Sequence, residues 1–166
     1  WDRSVLRDLP ALLRPHPRIV FRADSLDDIL ALRETNHRSA ELAKYIIAEA
    51  DKVINTDWYL QFPEDDSNMN KNTDYMNMCR SMVLVMFSHM LTGDDRYAGY
   101  RKRFLRVASW PKGGYASPEG TSGIRFKWSS HLAEYLGLFY DWRYDDLSDE
   151  ERALVRDSLQ WRLEHM

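Results

Sequence analysis

The strongest constraint in this sequence is an alternation between two kinds of helix. The spacing predicts a helix over residues 73–91 that is apolar on most of its surface. Met76, Cys79, Val83, Met86, Phe87 and Met90 share one side, and Met78, Met82 and Val85 another; Arg80 is its only Lys or Arg. Gly93 caps its end, and the next helix, over 95–109, is one-sided. Tyr97, Tyr100, Phe104 and Val107 form its stripe, while Arg96, Arg101, Lys102, Arg103 and Arg106 cover the rest. A third helix, over 127–142, is apolar again, with Glu134 as its only interior charge. A fourth starts at Ser148, whose Ser-Asp-Glu-Glu run puts Glu151 at the capping-box position, with Leu154, Val155 and Leu159 on one face.

Helices that are apolar all round are buried, and one-sided helices face water. Strict alternation across short turns (92–94 and 145–147) predicts an all-α fold: an incomplete (α/α) toroid or barrel with apolar inner and amphipathic outer helices. A plain bundle or a superhelical hairpin array tolerates the same pattern less specifically. Neither βαβ signals nor tetratricopeptide or ankyrin signatures occur.

Ahead of this alternation, residues 1–21 hold Pro10, Pro15 and Pro17 and read as a lead-in strand or strap. Residues 22–166 then form the helical domain. Ser25 is predicted to cap a first helix, with Asp28 completing a capping-box variant and Leu26, Ile29 and Leu30 on one face. A second spans 38–55, with Leu42, Tyr45, Ile46, Ala50 and Val53 at helical spacing. Residues 56–72 and 111–126 read as long loops, of the kind that often carry function. The chain begins at Trp1 and stops inside a helical pattern, so it reads as part of a longer protein.

Composition removes several functions. With 44% hydrophobic and 30% charged residues, the chain is folded rather than disordered. A formal net charge of −3 gives no field for nucleic-acid binding by charge alone. The sequence lacks the apolar run of ~18–20 residues that a membrane helix needs. Cys79 stands alone, so it forms neither an intrachain disulfide nor a thiolate zinc site and reads as a core residue. The histidines at 16, 37, 89, 131 and 165 make no metal-binding spacing. Phosphate loops and nucleophile elbows are missing too, and the pairs Asp65–Asp66 and Glu150–Glu151 read as loop or capping residues.

What remains points toward an acidic sugar. Arg125, Lys127 and Trp128 offer cations for a carboxylate and an aromatic face for the C–H surface of a ring. A solvated loop with an anchoring Trp fits them equally well. Tyr75 and Arg80, with Asn68, Asn70, Asn72 and Asn77, gather polar groups at the start of the helix over 73–91. His131 opens the next apolar helix, where it would border the mouth of a barrel. His89 reads as a satisfied packing residue. Tyr140, Asp141, Trp142 and Tyr144 read as a structural corner in which Asp141 holds a backbone or arginine partner.

Three segments resemble the heparinase II/III-like polysaccharide lyases. "HPRIVFRADSLDDILALR" is similar to the opening of that family's α-helical domain, and "LTGDDRYAGYRKRFLRVASWP" to its next hairpin. "LGLFYDWRYDDLSDEERALVR" matches its corner motif Tyr-Asp-Trp-x-Tyr-Asp-x-Leu-Ser-x-Glu-Glu. Within the family the resemblance is best to the exo-acting oligoalginate lyases. The resemblance implies a bacterial, periplasmic or secreted enzyme whose toroid is followed by β-sandwich domains. It also implies an acidic polysaccharide or oligosaccharide as substrate, and β-elimination at a uronic acid. The family's catalytic His, Asn and Tyr positions have no match here, so no catalytic residue is assigned. Tyr75, Arg80, Arg125, Lys127, Trp128 and His131 are the expected substrate contacts. No cofactor is implied in this segment, although downstream domains can carry a structural metal. Two alternatives are an α/α-barrel glycoside hydrolase of the unsaturated uronyl hydrolase type, with Asp141 or Glu134 as acid, and a helical-hairpin binding module.

Overall fold

The computed structural model describes residues 16–17, 19–20, 23–64, 72–110 and 123–164, with the backbone alone at 72–76 and 123–129. Every regular element among the described residues is helical. In chain order these are α1 (Leu26–Thr35), α2 (His37–Ile54), α3 (Asp57–Leu60), α4 (Asn72–Thr92), α5 (Tyr100–Ser109), α6 (Gly123–Trp142) and α7 (Asp149–Glu164).

Contacts between helices set their directions. The Phe87 ring meets Trp142 at 5.9 Å, so the C-terminal halves of α4 and α6 lie side by side and the two run parallel. Ser88 Oγ donates to the Ile46 carbonyl at 3.5 Å, and the Tyr97 hydroxyl, beyond the end of α4, reaches Asp51 at 2.6 Å. α2 therefore runs the same way, and α2, α4 and α6 form one layer with α4 in the middle. Each is followed by a segment that returns beside it. Residues 57–64 return along α5: Arg103 Nε donates to the Tyr59 carbonyl at 2.9 Å, and Phe62 stacks on Trp110 at 6.3 Å. α5 and α7 are the other two returns, tied at their starts by Arg101 Nε, which donates to Glu151 at 3.2 Å.

The core lies between the layers. Tyr97, Phe104, Met82, Met86, Phe139 and Val155 have almost no exposed surface. Phe104 of α5 and Phe139 of α6 stack at 4.6 Å, nearly coplanar, a pair worth about 0.5–1.5 kcal/mol beyond the area it buries. The predicted stripe of Tyr97, Tyr100, Phe104 and Val107 is the face that α5 and its lead-in bury. At the turn between α4 and α5, Gly93 adopts φ +67°, as the predicted cap requires, and its N–H donates to the His89 carbonyl at 2.8 Å.

Several boundaries differ from the pattern. The helix predicted over 95–109 is interrupted: Asp95–Tyr97 is a 3-10 turn, and α5 starts only at Tyr100. Ser25 holds the N-cap position of α1 without a side-chain cap, and α1 buries none of its residues, including Leu26, Ile29 and Leu30. With no deep neighbour over that face among the described residues, amphipathicity alone does not bury it. On α7 the expected face is rotated, because Leu154 is exposed while Val155, Ser158 and Arg162 are buried. Of the lead-in, His16, Pro17, Ile19 and Val20 are described, and they form an irregular strap.

The predicted corner is intact and centres on Asp141, which is 2% exposed. Its carboxylate accepts from His16 Nδ1 at 2.6 Å and from the Ile19 backbone N–H at 2.7 Å. Trp142 Nε1 donates to the Ile19 carbonyl at 3.0 Å, so two consecutive residues clamp both sides of one strap residue. His16 stacks on Tyr144 at 4.0 Å, and Arg152 lies 4.5 Å over the same ring. The capping box closes the corner: the Ser148 N–H donates to Glu151 at 2.8 Å, and the Glu151 N–H to Ser148 Oγ at 3.3 Å.

Replacing Asp141 by Ala leaves the Ile19 N–H and His16 without that acceptor. The expected loss is about 1–3 kcal/mol in urea unfolding, with faster hydrogen exchange at the Ile19 amide. Asp141→Asn, which keeps an acceptor for the Ile19 N–H, should lose less on both readouts.

Candidate functional site

α4 is not buried all round. Its open face, Arg80, Val83, Leu84 and Phe87, is the floor of a groove of about 410 Å³. The Trp142 indole, at the end of α6, forms one wall, and Val20 of the strap with Ile29 of α1 form the other. The helical period dictates this floor, because residues 80, 83, 84 and 87 fall on one stripe. Among the described residues, packing of α4 against α2, α5 and α6 leaves that stripe open.

The strap wall depends on the corner. Val20 takes φ 71°, a left-handed conformation that costs a residue with a Cβ roughly 1–2 kcal/mol. The clamp on Ile19 next to it holds the turn in place. Val20 stays 80% exposed at the groove's edge.

Among the described residues that line it, the groove is an aromatic and aliphatic surface with one charge, Arg80. Those residues include no carboxylate, histidine or nucleophile, so they can bind and orient a ligand without transferring a proton. Its volume suits a ligand of one or two sugar rings. A cation beside aromatic rings was expected at Arg125, Lys127 and Trp128; the structure assembles that combination from Arg80, Phe87 and Trp142.

Arg125, Lys127 and Trp128 belong to the first turns of α6 and not to a loop, and their side chains, with that of Tyr75, lie outside the described residues. His131 does not open its helix, because α6 starts at Gly123. It sits in the third turn with Nδ1 3.6 Å from Glu134. Phe87 beside Trp142 sets the register of α4 and α6, which puts His131 at the level of Met76, about 6 Å along the axis from Arg80. The two long loops are shorter than predicted: Asp57–Leu60 is helical, and residues 65–71 and 111–122 lie outside the described residues.

A second cluster lies where α4, α5 and α6 end or begin. His89 packs against the Tyr100 ring at 5.6 Å, but its buried Nδ1 has no hydrogen-bond partner among the described residues, so it is packed without being satisfied. Burial first, then the Arg143 guanidinium, holds the His89 pKa below its ordinary value. Burial likewise raises Tyr100, with Arg143 acting against it. Cys79 is a core residue, its thiol pushed up to about 12 by burial, so it stays protonated and unreactive at neutral pH. Among the described residues no group of His, Cys, Asp or Glu is arranged to hold a metal ion, and no helix is long and apolar enough to cross a membrane.

Compared with models of known protein families the chain matches none, and comparison with curated proteins finds no match either.

His89 makes a pH prediction with a definite sign. Its pKa is lower in the folded chain, so the unfolded chain binds the extra proton first. Stability from this residue is complete above the unfolded histidine value of about 6.5 and falls as pH drops through the folded value. Urea midpoints measured from pH 7.5 to 5 should therefore fall less steeply in His89→Gln than in the parent. Identical slopes would show that His89 is as solvated folded as unfolded.

Proposed function

We propose that this chain is the first part of an incomplete α/α toroid in a polysaccharide lyase that cleaves uronic-acid-containing glycans by β-elimination. The observation that carries this reading is the groove on α4, in which one guanidinium stands at the edge of an aromatic floor and the described lining carries no acid or base. Three parallel helices in one layer, each followed by a returning segment, are the arrangement that such a toroid repeats around its ring. The Tyr-Asp-Trp corner that carries the family resemblance is also the element that closes the groove's far wall.

β-Elimination makes a specific demand on this surface. The proton at C5 of a uronate becomes acidic only when the adjacent carboxylate is neutralised, since the developing charge spreads onto it. Arg80 supplies a positive charge for that carboxylate, and Phe87 and Trp142 supply flat faces for the C–H side of the ring. The base and acid come from residues beyond those described. The substrate is an acidic polysaccharide or an oligosaccharide cut from one, and the periplasm or the exterior of a bacterium is where such an enzyme meets it.

The hydrolase alternative needs a carboxylic acid facing the sugar. Asp141 is buried and committed to His16 and Ile19. Glu134 has a side chain 60% exposed beside His131 and does not line the groove. A hairpin binding module would show a repeating motif, and the three returning segments share none.

The test is a screen of the complete enzyme on alginate, heparan, chondroitin, hyaluronan and ulvan, following the ultraviolet absorbance of a new unsaturated uronate. Absorbance growing with one of these supports elimination, whereas reducing ends released without absorbance establish the hydrolase. On the active substrate, Arg80→Ala should lower kcat/KM by about 10- to 100-fold, the worth of a charge-assisted contact. Exposed on the helix surface, Arg80 should change stability by less than about 0.5 kcal/mol when replaced.

A further inference from the structure

A separate cleft of about 390 Å³ opens on the other layer, between residues 60–64 and α5. Lys102, Arg103, Arg106 and Glu64 all line it, so three cations meet one carboxylate in a chain whose formal net charge is −3. Arg103 is fixed in place. Nη1 donates to the Gly99 carbonyl at 2.8 Å, Nε to the Tyr59 carbonyl at 2.9 Å, and the guanidinium lies 3.5 Å over the Tyr59 ring. Those neighbours are neutral, and no carboxylate among the described residues pairs with it. Lys102 is exposed and likewise makes no ion pair among the described residues.

Glu64 shows what the cleft accepts. Its side chain is 85% exposed, yet its carboxylate is ion-paired with Arg106, which is only 24% exposed. A carboxylate therefore already occupies the anion seat, carried on a side chain that is itself mostly exposed to water. Beside it stands Phe62, backed by Trp110, an apolar wall next to the charges.

We propose that this cleft is a second binding site, for a uronate unit of an acidic oligosaccharide. The ligand's carboxylate replaces Glu64 on Arg106, Lys102 provides the second cation, and the C–H face of the ring rests on Phe62. The anion seat requires no reaction in the groove on α4, while the choice of a uronate as its ligand rests on the lyase reading.

Isothermal titration of the complete protein with a mannuronate trimer, with cellotriose and with sodium sulfate tests it. The expected result is that the mannuronate trimer binds and cellotriose does not. Arg106→Ala and Lys102→Ala should each weaken binding about tenfold, and Glu64→Gln, which removes the internal competitor, should tighten it about threefold. In Arg80→Ala, which removes the groove's own cation, a binding component that Arg106→Ala weakens should persist. Sulfate binding as tightly as the trimer would reduce the seat to a general oxyanion site and overturn the proposal. So would Glu64→Gln without a gain in affinity, or loss of all binding in Arg80→Ala, which would assign the sugar to the groove.

Discussion

The structure depends most on a carboxylate that water does not reach. Asp141 closes α6 at 2% exposure, and an ionised carboxylate left alone there would cost several kcal/mol. Two of its partners come from residues 16 and 19, at the opposite end of the sequence. Closing a chain segment of that length by itself costs roughly 4 kcal/mol in entropy. The clip therefore forms on a core that other contacts have already assembled, and the Phe104–Phe139 stack and the Tyr97–Asp51 bond are such contacts. Once α6 is in place, the strap has only its own few residues to order. The groove's far wall follows from this, since Val20 stands where the clamp on Ile19 holds it.

Local signals were legible and long-range ones were not. The apolar stripe of α5, the Gly93 cap and the Ser148–Glu151 box each depend on residues within one or two turns, and periodicity found all three. The corner was readable as a corner because aromatic and acidic groups crowd four positions, although nothing local named His16 as a partner of Asp141. The start of α6 was missed because Gly123 and the serines before it favour loops, a preference of about 1 kcal/mol that packing readily overrides. On α7, Leu154 and Val155 are neighbours with equal claims to the interior. The position of α5 decides between them, and no pattern within α7 carries that information.

The candidate site was half legible. Arg80 stood out as the only Lys or Arg in a helix otherwise rich in Met and Val, and such a charge must either pair or reach a surface. The aromatic face was sought at Trp128, beside Arg125 and Lys127, and Trp142 was read only as part of the corner, whereas the fold brings Trp142 from the far end of α6 to the groove that Arg80 lines. The basic face of α5 held a second lesson. Read as a solvated surface, it divides by helical position into distinct tasks: Arg101 ties α5 to α7 through Glu151, and Arg103 braces the Tyr59 turn. A charge count treats these arginines as equivalent, and only the register of the neighbouring chain separates them.

The same separation bears on chemistry. An enzyme that hydrolyses a glycosidic bond needs a proton donor facing the sugar, and an enzyme that eliminates across it needs its substrate's carboxylate neutralised. The first need falls on acids, and the one buried acid among the described residues, Asp141, is committed to holding the strap. The second falls on cations beside apolar ring surfaces, and both clefts are built of those. A wall that binds charge without moving protons fits elimination, because neutralising the carboxylate and removing the C5 proton are tasks for different groups. They can be placed on different helices of one ring.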